Sequence, residues 1–328
     1  MRFPGLKTAV KTAHWVRSKF VRGAVILGYH RVMQTSSDPF HLCASPVFFE
    51  SQLKLLSEVA QPIRLQDLLA GLQEKYIPER ATVITFDDGY ADVFYNALPL
   101  LEKYKIPATI FITTGRLGQE FWWDELRRII LESENIPERL SLSVNSYEYE
   151  IRIGSFNKKT AFDPKSHVLR SLHEWMQSLS VQERDDVLGQ LEERFDVKSS
   201  VPSLNRALTP DELVSLSRHD LIEVGSHSVS HMSLPMLPME IQSQEVVDSK
   251  IMLESLLGKH INAFSYPAGM HSPELKTILY SAGFNSACIS TNDIVWSGSD
   301  PFELPRFWLQ HYNRDQFTRW LRTWLVRV

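Results

Sequence analysis

Cysteine is nearly missing from this sequence. Its two cysteines, Cys43 and Cys288, cannot build a disulfide framework and lack the clustered spacing of a zinc knuckle. Both read as small buried hydrophobes. Long apolar runs are missing as well: no window approaches the roughly 20 apolar residues needed to span a bilayer. Neither sign of charge prevails. A net charge of -4 and a pI near 6.3 give no basic footprint for nucleic acid. No repeat or low-complexity segment is present. The opening "MRFPGLKTAVKTAHWVRSKFVRG" has no uninterrupted apolar stretch after its basic residues and no small-residue cleavage site. It therefore reads as no signal peptide, with the cytoplasm as the expected compartment.

What is present suits an ordinary globular core: 328 residues, 43% hydrophobic and 23% charged. Acids are absent from the first 22 residues, which carry Arg2, Lys7, Lys11, Arg17, Lys19 and Arg22. Residues 1–23 form a basic amphipathic segment. Residues 313–328 form a second, with Phe317, Trp320, Leu321, Trp324, Leu325 and Val328 at helical spacing. Such ends either pack on the domain or lie peripherally on an anionic membrane surface.

Between the ends, 24–312 alternates strand and helix patterns. "AVILGYH", "ATVITFDD" and "PATIFIT" are short apolar runs, with helical periodicity between them. Ser45 and Pro46 mark a helix start. Residues 115–202 break the pattern: they are rich in charge and helix formers, with an alternating "YEYEIRIGS" that suits a hairpin. We read this as an insertion after the third strand, because strands resume at "LIEVGSH", "INAFSYPAG" and "FNSACIS". A last short strand falls near "FELPRFWL". The class is α/β. Six or seven βα units suit a barrel better than an open sheet, and the open form stays available.

The polar residues fall at one end of these units. His30, Asp87, Asp88, His227 and Pro267 each follow a strand, the end where βα barrels build their sites. "VITFDDGYAD" is the sharpest case, with two adjacent carboxylates after a β-branched run. Like charges so placed need a surface, a partner or a metal. "GSHSVSHMSL" sets His227 and His231 four residues apart, a spacing that lets two imidazoles share an ion. One carboxylate and two imidazoles make a three-ligand set with room for water. The remaining carboxylate is then available as a base.

"TFDDGY", "HSVSH" and "FSYPAG", in that order, resemble the polysaccharide deacetylases, the NodB-homology group of carbohydrate esterase family four. "ILGYHRV" and "LPR" are similar to a branch associated with surface-polysaccharide synthesis. The resemblance runs from about Ala24 to Leu309. It implies a deformed (β/α) barrel, of about seven parallel strands here, a divalent metal that is most often Zn2+, and removal of an N-acetyl group from a sugar. It assigns Asp87 as the base, and Asp88, His227 and His231 as metal ligands. The backbone N–H of Ala268 becomes an oxyanion donor. Tyr90, Tyr266, Pro267 and Trp123 become candidates to touch substrate.

The sequence departs from the family pattern in places. Ser265 stands where an arginine often orients the base, and Ala268 where an aromatic residue is common. Arg306 is the expected replacement cation, reaching Asp87. The late histidine motif is irregular, which leaves His30 and His311 as candidate general acids. The expected substrate is an N-acetylated sugar in a polysaccharide, or in a nucleotide- or lipid-linked precursor. Two rivals remain: an amidohydrolase of the same barrel acting on a non-sugar amide or imide, and a non-catalytic carbohydrate-binding relic.

Overall fold

The computed structural model describes residues 22–134, 137, 139–152, 164–197 and 204–324. Most of the basic N-terminal segment, and Leu325 and Val328 of the C-terminal stripe, lie outside them. The chain divides into two compact units, one formed by residues up to Leu117 and from Leu208 onward, the other by Gly118–Ala207.

The first unit is built on a curled, mainly parallel sheet. Its strands are β1 (Gly23–Tyr29), β2 (Ala81–Phe86), β3 (Ala108–Ile112), β4 (Ile222–Ser226), β5 (Ala263–Ser265) and β6 (Ser286–Cys288), joined in the order β6-β5-β4-β3-β2-β1. Every residue of β1, β2 and β3 is buried. This explains their near-continuous apolar sequences: strands covered on both faces do not alternate. Ala24, Ile26, Ala81, Val83, Phe111, Cys288 and Val295 share one buried cluster, in which Cys288 packs as a small hydrophobe. β7 (Val295–Trp296) pairs antiparallel with the start of β1, a feature the apolar pattern did not reveal. β8 (Phe307–Trp308) then pairs parallel with Leu27 and Gly28 of β1.

Closure comes from the chain just before β8. Leu304 N–H donates to Ala287 O and Ile289 N–H donates to Leu304 O, each at 2.9 Å. The stretch from Leu304 to Trp308 therefore bonds to β6 at one end and to β1 at the other. It links the two edges of the path, so that seven parallel strands form a deformed barrel; the two-residue strand Gln61–Pro62 pairs parallel with the start of β2 beside them.

Local sequence explains the helices. Ser45 Oγ accepts from Phe48 N–H at the start of the helix Pro46–Val59. Thr209 and Glu212 make a capping box for Pro210–Ser217. Gly258, in the left-handed region, closes the helix Met239–Leu257. The segment after "TFDDGY" is not one regular helix: a π-turn spans Val93–Ala97 before the α-helix Leu98–Tyr104. Pro99 lacks an N–H and crowds the preceding turn, which accounts for the irregularity. In the C-terminal helix Arg314–Trp324, Phe317 and Leu321 are buried, and Trp320 and Trp324 lie 5.0 and 4.8 Å from the Phe307 ring. This part of the aromatic stripe packs on the barrel. Among the described residues, no helix is long and apolar enough to cross a membrane.

The second unit is compact in itself. It comprises the helix Trp122–Glu132, the hairpin Arg139–Val144 with Tyr147–Arg152, and the helices Pro164–Met176 and Val181–Phe195. Leu140, Leu142 and Val144 bury one face of the hairpin. Arg128 is buried and bonds to Glu120 at 3.0 Å and Glu192 at 3.1 Å, and Asn205 donates to Glu120 at 2.6 Å. Buried charges are tolerated when paired this way.

Candidate active site

Four strand ends deliver the site. Asp87 and Asp88 follow β2, His227 follows β4, Ser265 ends β5, and Arg306 immediately precedes β8. Backbone bonds set the register of this rim. Asp87 N–H donates to Tyr29 O at 2.9 Å, His227 N–H to Ile112 O at 2.8 Å, and Thr113 N–H to Asp88 O at 3.2 Å.

The expected contact between Arg306 and Asp87 is present. Arg306 is fully buried, and its Nη1 and Nη2 donate to Asp87 Oδ1 and Oδ2, both at 2.7 Å. This bidentate fork fixes the carboxylate plane. Arg306 Nε donates to Ile289 O, and Nη1 also donates to Thr85 Oγ1 at 3.3 Å. Burial pushes the Asp87 carboxyl up. Arg306, aided by His227, outweighs that and holds it well below the usual carboxylate range.

Asp88 and Gly89 follow in a left-handed turn, with φ of +71° and +82°. Asp87 Oδ2 and Asp88 Oδ1 lie 3.8 and 3.5 Å from the same His227 Nε2. Gly89 is required here: a Cβ would meet Ile112 Cδ1 at 2.7 Å in a left-handed conformation. Asp88 Oδ1 lies 3.5 Å from His227 Nε2 and 3.4 Å from His231 Nε2. Ligands about 2.0–2.1 Å from one tetrahedral ion sit about 3.3–3.4 Å apart, so these spacings fit a shared divalent cation. His227 Nδ1 donates to Ser265 O at 2.7 Å, which leaves Nε2 as the lone pair facing Asp88. Burial lowers the pKa of both His227 and His231, which keeps them neutral, the form that binds metal. His231 itself has φ +55°, and its N–H donates to Ser228 Oγ. Glu245 holds the turn between the two histidines, accepting from Val229 N–H, Ser230 N–H and Ser230 Oγ.

Sequence reasoning missed Ser265, which it read only as a lost arginine. Its hydroxyl accepts from Arg306 Nη2 at 2.9 Å and donates to Asp87 Oδ2 at 3.1 Å, while its carbonyl orients His227. One residue thus serves both halves of the site. Its place at the end of a strand was the available signal. Glu245 lies far along a helix and gave none.

His30 stacks on Trp308 at 4.6 Å, and its Nδ1 is buried without a hydrogen-bond partner. Burial lowers its pKa to about 4, with Asp87 opposing and Arg306 and His227 assisting. The ring is therefore neutral at pH 7 and carries no spare proton as an imidazolium. His311 lies elsewhere on the surface of this unit, 3.7 Å from Asp38. Ala268 sits exposed in a turn with φ +54°.

Four residues expected to touch substrate are buried. Tyr90 is fully buried beneath the Arg31 guanidinium, 4.1 Å from its ring centre. Tyr266 is fully buried, with its hydroxyl donated to Phe302 O at 3.1 Å. Pro267 is buried beside it. Trp123 belongs to the second unit, 6% exposed and stacked on Phe121 at 4.7 Å. Each has its apolar surface taken up by protein, leaving little for a sugar ring.

A parallel barrel with an Asp-His-His set beside an arginine-clamped carboxylate, all at the C-terminal rim, has the composition of a metallohydrolase site. The chain belongs to the polysaccharide deacetylase family, whose model matches residues 74–136 and 186–287, half of the chain. Among curated proteins it is similar to the poly-β-1,6-N-acetyl-D-glucosamine N-deacetylase of Staphylococcus aureus, 37% identical over 110 residues. That match spans 30% of this chain and only 38% of the relative's length. Among solved structures it is similar to the Streptococcus pyogenes deacetylase PplD, solved with acetate, at TM-score 0.59 and 16% identity over 91% of this chain and 98% of that one. It is also similar to IcaB from Ammonifex degensii, at TM-score 0.59 and 18% identity over 93% and 97%. These likenesses agree on the fold, a deformed barrel.

Proposed function

We propose that this protein is a metal-dependent hydrolase that removes N-acetyl groups from a surface polysaccharide, with β-1,6-linked N-acetylglucosamine as the favoured substrate. The observation that carries the reading is the division of labour between Asp87 and Asp88. Asp87 is held by the Arg306 fork at 2.7 Å, with His227 Nε2 no nearer than 3.8 Å, whereas Asp88 Oδ1 lies 3.5 and 3.4 Å from the two imidazoles. The named activity of the staphylococcal relative supports the choice of sugar.

Asp88, His227 and His231 would hold the cation, and zinc suits the two-nitrogen, one-oxygen set. When bound, it supplies Lewis acidity toward water and the acetyl carbonyl. Asp87 accepts the proton of the attacking water. Arg306 keeps Asp87 ionised and pointed, and Ser265 Oγ steadies one of its oxygens. The exposed Ala268 turn lies within the motif from which the family donates an N–H to the developing oxyanion, and we assign that role here. Neutral His30 is suited to accept or relay a hydrogen bond rather than to start as the acid.

The test is acetate release by zinc-loaded protein from β-1,6-linked N-acetylglucosamine oligomers. Lipid- and nucleotide-linked N-acetylhexosamines and non-sugar amides serve as comparison substrates. The oligomers should be preferred. Release only from a linked precursor would move the substrate, and hydrolysis of non-sugar amides alone would favour the rival amidohydrolase. Asp87→Asn should lower turnover about 10²–10⁴-fold.

A further inference from the structure

A second cluster with metal-ligand composition lies in the barrel unit outside the Asp88 set. Asp38, His41 and His311 each present one ligating atom, and all three atoms fall within 4.8 Å of one another. None of the three is required by the chemistry above. They come from two distant parts of the chain, the loop after β1 and the loop after β8.

The cluster is held in place. Asp38 Oδ1 accepts from Leu42 N–H at 2.9 Å and Oδ2 from Cys43 N–H at 3.0 Å, so the carboxylate is fixed by its own loop. The His41 N–H donates back to Asp38 O at 3.2 Å. His41 takes a φ of +57°, unusual for a side chain of this size. Gln310 Nε2 donates to His41 O at 2.7 Å and ties the two loops together directly beside His311. His311 Nε2 stands 3.7 Å from Asp38 Oδ2, and the His41 and His311 rings meet edge to face at 5.1 Å. Both histidines are exposed, so an ion could enter without unfolding.

We propose that Asp38, His41 and His311 form a second divalent-cation site for a zinc-like ion. Two imidazoles and one carboxylate select first-row metals over magnesium or calcium, which prefer all-oxygen shells. Three protein ligands leave at least one position to water. Exposure and loop ligands make this the weaker of the two sites, filling after the Asp88 set.

The test is zinc binding by equilibrium dialysis on chelator-stripped full-length protein. Wild type should take up about two equivalents in two phases. His41→Ala/His311→Ala should take up about one, tightly, and His311→Gln alone should weaken the second phase at least about tenfold. His227→Ala/His231→Ala should keep about one weaker equivalent, so this result stands apart from that of the catalytic reading. His260→Ala removes an imidazole that is 92% exposed and should change nothing. An unchanged two-phase isotherm in His41→Ala/His311→Ala would overturn the proposal. So would loss of the second phase in His260→Ala, which would mark it as adventitious surface binding.

Discussion

Arg306 and Asp87 make the sharpest claim at the scale of single residues. Two charges with almost no exposure survive because the fork satisfies both carboxylate oxygens and Ser265 and Thr85 take further bonds. The carboxyl is held below its ordinary value, so its contribution to stability is complete above the unfolded value near about 4. That contribution fades as pH falls toward the folded value. Arg306→Met removes the cation but not the burial, and the Asp87 pKa should rise. The acidic limb of the pH–rate profile should then move upward with metal content unchanged, and the fold should lose about 3–5 kcal/mol as an unpaired charge is left inside. A pH–rate profile and a urea titration measure the two effects. An acidic limb that stays in place would show that Arg306 does not tune the base.

At the scale of elements, the strand ends matter most, and they were also the most legible part of the sequence. Apolar runs that stop at Asp87 or His227 mark a buried strand emerging at a rim, because burial forbids alternation and a charge forbids further burial. Closure by Leu304–Trp308 was only hinted at, since two-residue pairings carry almost no pattern. The π-turn depended on Pro99, whose effect on the preceding turn is decided by packing. The burial of Tyr90, Tyr266 and Trp123 was not legible, because an aromatic residue in a motif fits a core or a cleft equally well. Ser265 was undervalued because a hydroxyl gains its role only from what the fold sets around it. Gly89 tests the rim directly. Gly89→Ala imposes a left-handed alanine against Ile112 and should cost about 1–3 kcal/mol in urea unfolding. It should also reduce metal affinity, because Asp88 depends on the same turn. A neutral effect on both would mean that the turn is looser than its geometry.

The whole molecule carries its candidate chemistry on one of its two units. The Asp88 set draws β2 and the loop after β4 together, so a bound ion should stabilise the barrel as well as serve the reaction. Anything that binds only the folded state adds RT ln(1 + [L]/Kd), about 4 kcal/mol at a thousandfold excess over Kd. Chelation should therefore lower the thermal midpoint of wild type by clearly more than that of His227→Ala, which keeps only the weaker site. A scanning calorimetry trace with and without chelator checks this, and equal shifts in both proteins would place the stabilising ion elsewhere. The central claim, that neighbouring aspartates hold different offices, is met most directly by metal content after dialysis against a limiting zinc buffer. Asp87→Asn should retain the ion of the Asp88 set as wild type does, while Asp88→Asn should lose it. Retention by Asp88→Asn with loss from Asp87→Asn would contradict the account.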